Sequence, residues 1–259
     1  MAYAPEYEAV HARYYDGAYA SLRDGADIAF YRDLARETGG PVLELGCGTG
    51  RVLLPIAREG LACTGLDASR AMLDVLRAKD PPPNLRLVAA PMQAFDLGAE
   101  RFRLIFSAFR PLQHLYSVED QLACLAAVRR HLAPGGRFAF DVFVPDLARI
   151  AHVEEVDVEE GRFSDGDDEI VRLTSMRRDL VAQITHVTMR LERRRDGKVL
   201  GEEVERFGMR WYHRYELEHL LARAGFVIVA LYGGFDRRPY DHVSGEAVIV
   251  ARAATTDGT

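Results

Sequence analysis

Val42-Leu43-Glu44-Leu45-Gly46-Cys47-Gly48-Thr49-Gly50-Arg51 is the stretch on which the fold turns. Four residues of largely apolar character run into three glycines at alternate positions. Behind them, Arg51 to Glu59 carries Val52, Leu53, Ile56 and Ala57 on one face at helical spacing. The pattern predicts a strand, a glycine turn and a helix. Pro55 falls inside that helix, where it is tolerated only if still within the first turns. Glycine is needed in such a turn for positive φ and so that bare backbone can approach a ligand, and the helix start behind it favours an anion such as a phosphate or an amino-acid carboxylate.

The alternation extends in both directions. Ile28, Phe30, Tyr31, Leu34 and Ala35 predict a lead-in helix over Ala26 to Thr38, ended by Gly39-Gly40-Pro41. Downstream come a strand at Leu61 to Leu66, a helix at Ser69 to Lys79 with Ser69 as N-cap, and strands at Leu85 to Ala89 and Leu104 to Phe109. Ser117-Val118-Glu119-Asp120 has the form of a capping box for a helix running to His131, and Pro134-Gly135-Gly136 reads as a turn into a strand at Phe138 to Val144. Strand and helix in alternation predict a parallel sheet covered on both faces. After Pro145 the texture changes to Ile170 to Met176, Leu180 to Leu191 and Val199 to Tyr212, an antiparallel β meander inserted in the α/β core. A helix from Tyr215 to Gly225 and strands at Phe226 to Tyr232 and Ala247 to Ala251 complete the chain, with a frayed tail from Ala253. The expected organisation is therefore 1–150 as N-terminal helices and α/β core, 151–208 as the meander, and 209–259 as the rest of the core.

Composition limits the function. The chain has 259 residues with 48% hydrophobic and 28% charged, the usage of a folded globular protein. No run is long and apolar enough for a membrane span, and the start MAYAPEYEAV lacks the pattern of a secretory signal, so a cytoplasmic protein is expected. Cys47, Cys63 and Cys124 lack metal-site spacing and read as reduced, buried thiols, with no metal implied. A formal charge of −6 disfavours a nucleic-acid partner. Nine acids against the single Arg162 between Glu154 and Glu169 read as a solvated loop.

Asp67 stands twenty-one residues after Gly46, at the end of the second predicted strand, where a carboxylate can accept from both hydroxyls of a ribose. Glycine turn and acid together fit a nicotinamide-linked dehydrogenase or an enzyme using S-adenosylmethionine. The dehydrogenase fingerprint is G-x-G-x-x-G, whereas these glycines run G-x-G-x-G, with Glu44 in a place that repels a pyrophosphate and suits a cationic amino acid. With E-L-G-C-G-T-G-R at 44–51, Asp67, Met92 after the third strand and Leu132-Ala133-Pro134-Gly135-Gly136 before the fifth, the chain resembles the class I S-adenosylmethionine-dependent methyltransferases of small-molecule type.

The resemblance implies a Rossmann-like, seven-stranded, mostly parallel sheet, with Ala247 to Ala251 as a reversed strand between its neighbours. It implies that Glu44, Gly46, Cys47, Gly48 and Gly50 line the methionine part of the cofactor, Arg51 reaches its carboxylate, Asp67 holds the ribose, and Ala68 and Met72 flank the adenine. The family's adenine-binding acid falls at Pro91, so Gln93 or the backbone at Met92 takes that place. Arg13-Tyr14-Tyr15-Asp16 resembles the segment that closes over the cofactor, with Tyr15 towards it and Tyr14 towards the acceptor. At the end of the fourth strand Phe109 packs on cofactor or acceptor, Arg110 pairs with an acidic substrate group, and His114 is the expected base. Trp211 and His213 belong either to a strand of the core or to the acceptor pocket. The inserted meander is read as a lid or a homodimer surface. The expected activity is methylation of nitrogen or oxygen on a small molecule, the alternatives being a nucleic-acid or protein substrate, or a module that binds the cofactor without catalysis.

Overall fold

Strands of four to six residues, each followed by a helix or turn, lie side by side in the computed structural model, which describes residues 5–20 and 22–254. Two helices lead in, α1 (Pro5–Tyr19) and α2 (Ala26–Thr38). The core then runs β1 (Val42–Leu45), α3 (Leu53–Arg58), β2 (Cys63–Asp67), α4 (Arg70–Ala78), β3 (Leu85–Ala89), β4 (Phe102–Ser107), α5 (Val118–His131) and β5 (Leu132–Phe143). A short α6 (Leu147–Ala151) leads to β6 (Glu154–Asp165), β7 (Asp168–Asp179), β8 (Ile184–Arg195) and β9 (Lys198–Arg210). The chain returns to the core with α7 (Arg214–Arg223), β10 (Phe226–Tyr232) and β11 (Glu246–Ala253).

The main sheet has seven strands in the order β10-β11-β5-β4-β1-β2-β3. β1 to β5 pair in parallel, and β11 is antiparallel to both β10 and β5, the expected reversed strand. Side chains alternate across it: Leu43 and Leu45 join the cluster with Phe138, Phe140 and Ile249, while Val42 joins the one with Tyr31, Phe106 and Val248. Burial of both faces is the reason the central strands are mostly apolar, whereas β3 at the edge is partly exposed. Local signals hold: Ser69 Oγ accepts from Met72 N–H at 3.2 Å, and Ser117 Oγ from Asp120 N–H at 3.0 Å. Pro55 is the third residue of α3, where a missing N–H leaves no intrahelical bond unmade. The predicted turn at Pro134-Gly135-Gly136 is instead the irregular start of β5: Gly135 has φ 74°, and the pairing with β4 shifts register between Phe102 and Leu104.

The second sheet, β6-β7-β8-β9, is antiparallel, with strands of twelve or thirteen residues, and corrects the sequence reading in two ways. The acidic stretch is not a loop but an edge strand, β6, paired to β7 from Glu154↔Arg177 to Asp165↔Asp168. Its acids are placed against arginines, as in Arg190–Asp157 at 3.2 Å and Arg172–Glu160 at 3.3 Å, and a charged edge strand resists pairing with further chains. Leu180 to Gln183 are not strand but turn, because Asp179 Oδ1 accepts from the Val181 and Ala182 amides at 3.0 and 2.9 Å. From Thr185 to Leu191 the expected alternation holds, with Thr185, Val187, Met189 and Leu191 buried. Asp196 and Gly197, both at positive φ, make the two-residue hairpin to β9.

Candidate functional site

The carboxyl ends of the parallel strands form one edge of the main sheet, the edge that binds ligands in this architecture. At its centre the glycine turn leaves β1. Gly46, Gly48 and Gly50 have φ of 70°, 51° and 81°, which side-chain-bearing residues rarely adopt. The three serve different ends. A Cβ at Gly46 would come within 2.7 Å of Pro111, and one at Gly50 within 2.3 Å of Leu76, so these two are bare for packing. A Cβ at Gly48 would meet nothing within 4 Å, so there the backbone faces open space.

Asp67 ends the adjacent strand. Its Oδ2 accepts from Gly48 N–H at 2.7 Å and its Oδ1 from Ser69 N–H at 2.8 Å, so the carboxylate ties the turn to β2. Glu44 is 2% exposed, and its Oε2 has no hydrogen-bond partner among the described residues. Burial pushes its carboxyl well above the usual carboxylate range, against the opposing pull of Arg51 and the Leu53 amide. An orphaned acceptor in that place is costly unless a cationic donor meets it. The Cys47 thiol is likewise pushed up by burial, and all three cysteines are unpaired and buried.

Aromatic side chains close the edge from two sides. Phe109, after β4, meets Tyr15 edge-on at 6.4 Å and Tyr19 at 5.1 Å between ring centroids. The Arg51 guanidinium stands 5.1 Å from the Phe109 centroid and makes a two-pronged ion pair with Asp27, at 3.0 and 2.5 Å. Asp27, Tyr19 and the Asp16 contacts escaped the sequence reading. Asp16 accepts from Thr49 Oγ1 at 2.7 Å and pairs with Lys79 Nζ at 2.6 Å, docking α1 on the glycine turn. Burial raises the Tyr15 phenol and pushes that of Tyr19 up to about 12, with Arg172 opposing the latter.

The remaining expected residues fall in different places. Met92 reaches the glycine turn, with its Cε 3.7 Å from a Cβ built on Gly46, and Gln93 beside it is half-buried. Ala68 is exposed and Met72 buried in the first turn of α4. Arg110 pairs with Glu246 of β11 and lies over the Phe143 ring at 5.4 Å. His114 is exposed on a single 3-10 turn, its ring 5.8 Å from that of Phe207 on β9. Tyr14 packs with Ile170, Met189, Leu191 and Phe163, between α1 and the meander. Trp211 is buried just past β9, its amide bonded to Gln183 O at 3.0 Å, and His213 is the exposed N-cap of α7.

Comparison with known proteins agrees with this edge. A family model described as a methyltransferase domain matches residues 42–136, from β1 into β5. The cypemycin N-terminal methyltransferase of a Streptomyces species is 31% identical over 134 residues, 51% of this chain and 54% of that protein. The dTDP-3-amino-3,4,6-trideoxy-alpha-D-glucopyranose N,N-dimethyltransferase of Streptomyces venezuelae is 32% identical over 138 residues, 50% of this chain and 56% of that one. The matches thus span about half the length of these curated relatives. The solved CcbJ methyltransferase of Streptomyces caelestis is similar throughout, at 30% identity and a TM-score of 0.77, covering 91% of this chain and 98% of that one. The chain belongs to the class I S-adenosylmethionine-dependent methyltransferases.

Proposed function

We propose that this chain transfers the methyl group of S-adenosylmethionine to a nitrogen or oxygen of a small molecule. The carrying observation is the buried Glu44 oxygen that has no hydrogen-bond partner among the described residues, beside a glycine turn whose middle residue faces open space. Those features fit the cofactor's methionine end, whose ammonium answers the carboxylate. In this reading Gly46, Cys47, Gly48 and Gly50 line that end and Arg51 faces the carboxylate. Asp67 accepts from the ribose, Ala68, Met72, Met92 and Gln93 border the adenine, and Tyr15 and Phe109 cover the middle.

When bound, S-adenosylmethionine supplies a methyl group already activated by a positively charged sulfur. The protein's task is orientation and exclusion of water, which can lower a barrier by about 7–11 kcal/mol in favourable cases. The acceptor lies between the core edge and the meander, bordered by Arg110, Tyr14, Trp211 and His213, with His114 taking a proton when the nucleophile is a hydroxyl. A neutral amine needs no such base. The relatives named above act on an N-terminus and on an amino sugar, which supports nitrogen as the acceptor atom. The formal charge of −6 supports a small molecule over nucleic acid, and three unpaired thiols support a cytoplasmic setting. The meander serves as a lid, or as the contact surface of a homodimer.

Calorimetry with S-adenosylmethionine and S-adenosylhomocysteine tests this reading. Wild type binds both, and Gly48→Val loses at least about 100-fold in affinity by filling the space the ligand needs, beyond the modest strain of its φ. Failure of wild type to bind either ligand rejects the proposal. Labelled cofactor incubated with a metabolite extract then identifies the acceptor by mass. Binding without label transfer to any small molecule would point to a nucleic-acid or protein substrate, or to a binding module.

A further inference from the structure

We propose that Asp141 is a positioning residue for the methyl donor, acting through Phe109; the inference rests on the donor site proposed above. Asp141 lies in β5 with no exposed surface, and its Oδ1 accepts from Phe109 N–H at 2.9 Å and from Tyr31 O–H at 2.8 Å. What it grips is an unusual piece of backbone.

Phe109 and Arg110, directly after β4, have φ of 66° and 72°. Two successive residues with side chains in the left-handed region persist only where surrounding contacts hold them there. The Arg110 side chain is held by its ion pair to Glu246 and by the Phe143 ring. At Phe109 the amide is held by the buried Asp141 carboxylate, an acceptor stronger than a neutral carbonyl. This turn sends the chain back across the end of β1. It delivers Pro111 against Gly46 and sets the Phe109 ring beneath Arg51 and edge-on to Tyr15 and Tyr19. In a relaxed conformation the strand would continue outward and the ring would leave that wall. A carboxylate in the core thus decides the shape of the pocket at its mouth. Tyr31, stacked on Phe106 with 4.8 Å between centroids, holds the same oxygen from the other side.

A double-mutant cycle read by calorimetry with S-adenosylhomocysteine tests the assignment, using wild type, Phe109→Ala, Asp141→Ala and the double variant. Phe109→Ala is expected to weaken binding about 10-fold by removing an aromatic side chain from the wall of the donor pocket. Asp141→Ala weakens it at least as much, and the double variant falls within about 2-fold of the weaker single, because both changes remove the same ring from the same place. Asp141→Asn keeps an oxygen for both donors and recovers affinity to within about 3-fold of wild type. Losses that multiply in full, or an Asp141→Ala protein that binds as wild type does, overturn the role. Should Asp141→Ala fail to fold, hydrogen exchange on wild type decides. The Phe109 amide is expected to exchange as slowly as the core strands, and exchange at the rate of an open loop overturns the proposal. Wild type that binds no S-adenosylhomocysteine rejects the donor site itself, whereas wild type that binds with a multiplicative cycle rejects only Asp141.

Discussion

The main sheet and the meander solve opposite problems. In the main sheet, the short strands β1, β2 and β4 are almost wholly buried, and the edge proposed to hold the donor is made of three glycines, one acid at the end of β2 and a left-handed turn after β4. In the meander, strands of twelve or thirteen residues carry arginine–carboxylate pairs on their surfaces and a small apolar patch beneath α1. The region matched by the methyltransferase family model ends at residue 136, before the meander begins. Binding by backbone tolerates almost no change of side chain, since a Cβ in the wrong place fills the site. A surface of charged side chains can be rewritten one residue at a time. The glycine turn falls within the region that the family model matches, and the meander is where the acceptor preference is expected to be written.

Breaking the contrast should be easiest in the core. Gly50→Ala places a Cβ 2.3 Å from a Leu76 methyl at a positive φ, with Leu76 itself fully buried. It is expected to cost about 2–4 kcal/mol of stability, read by denaturant unfolding, through overpacking and backbone strain together. Asp67→Ala comes next. It should weaken S-adenosylmethionine binding by about 1–3 kcal/mol, because the Gly48 and Ser69 amides lose their acceptor and the ribose its partner. Unchanged affinity by calorimetry would remove Asp67 from the site.

Glu44→Gln separates stability from binding by pH. Because burial raises the Glu44 carboxyl, the folded protein retains a proton there that the unfolded chain has already lost. Stability therefore falls as pH rises from the ordinary carboxylate range towards the folded value. The glutamine variant should lose that decline, unfolding at higher temperature than wild type at neutral pH, while binding S-adenosylmethionine more weakly. A wild type whose thermal stability keeps rising through this interval, parallel to the variant, would contradict the assignment. The smallest effect belongs to the meander: Gly201→Ala, at a glycine whose Cβ would meet nothing within 4 Å and whose φ is not positive, should change stability by no more than about 0.5 kcal/mol.

Much of the core was legible because local rules and tertiary structure agree there. Helix α2 and strands β3 and β10 have the boundaries that periodicity gives, and the spacing of Gly46, Gly48, Gly50 and Asp67 carries its own geometric reason. Strand β6 was not legible. Six acids between Glu154 and Asp165 mask the alternation of Val156 and Val158, and what makes the segment a strand is its pairing with β7, a property of the partner. Asp27 and Asp141 were invisible for a related reason. An acid in the first turn of a helix reads as a charge answering the helix dipole, and one within an apolar strand as an exception. Their burial depends on Arg51, Tyr31 and the Phe109 amide, which lie 24, 110 and 32 residues away along the chain. The surroundings of His114 and His213 were not legible either: one sits exposed on a 3-10 turn with its ring near Phe207, and the other caps a helix.

Helix α1 belongs to both regions at once. On one flank Asp16 grips Thr49 and Lys79. On the other, Arg13 pairs with Asp165 at 2.9 Å, Gly17 lies against the Phe163 ring and Arg172 donates to Ala18 O at 3.2 Å. Any displacement of this helix must therefore break contacts with the glycine turn and with the four-stranded sheet together. A substitution that loosens α1 from one of these surfaces is therefore expected to loosen its hold on the other, so the two regions share a hinge pin.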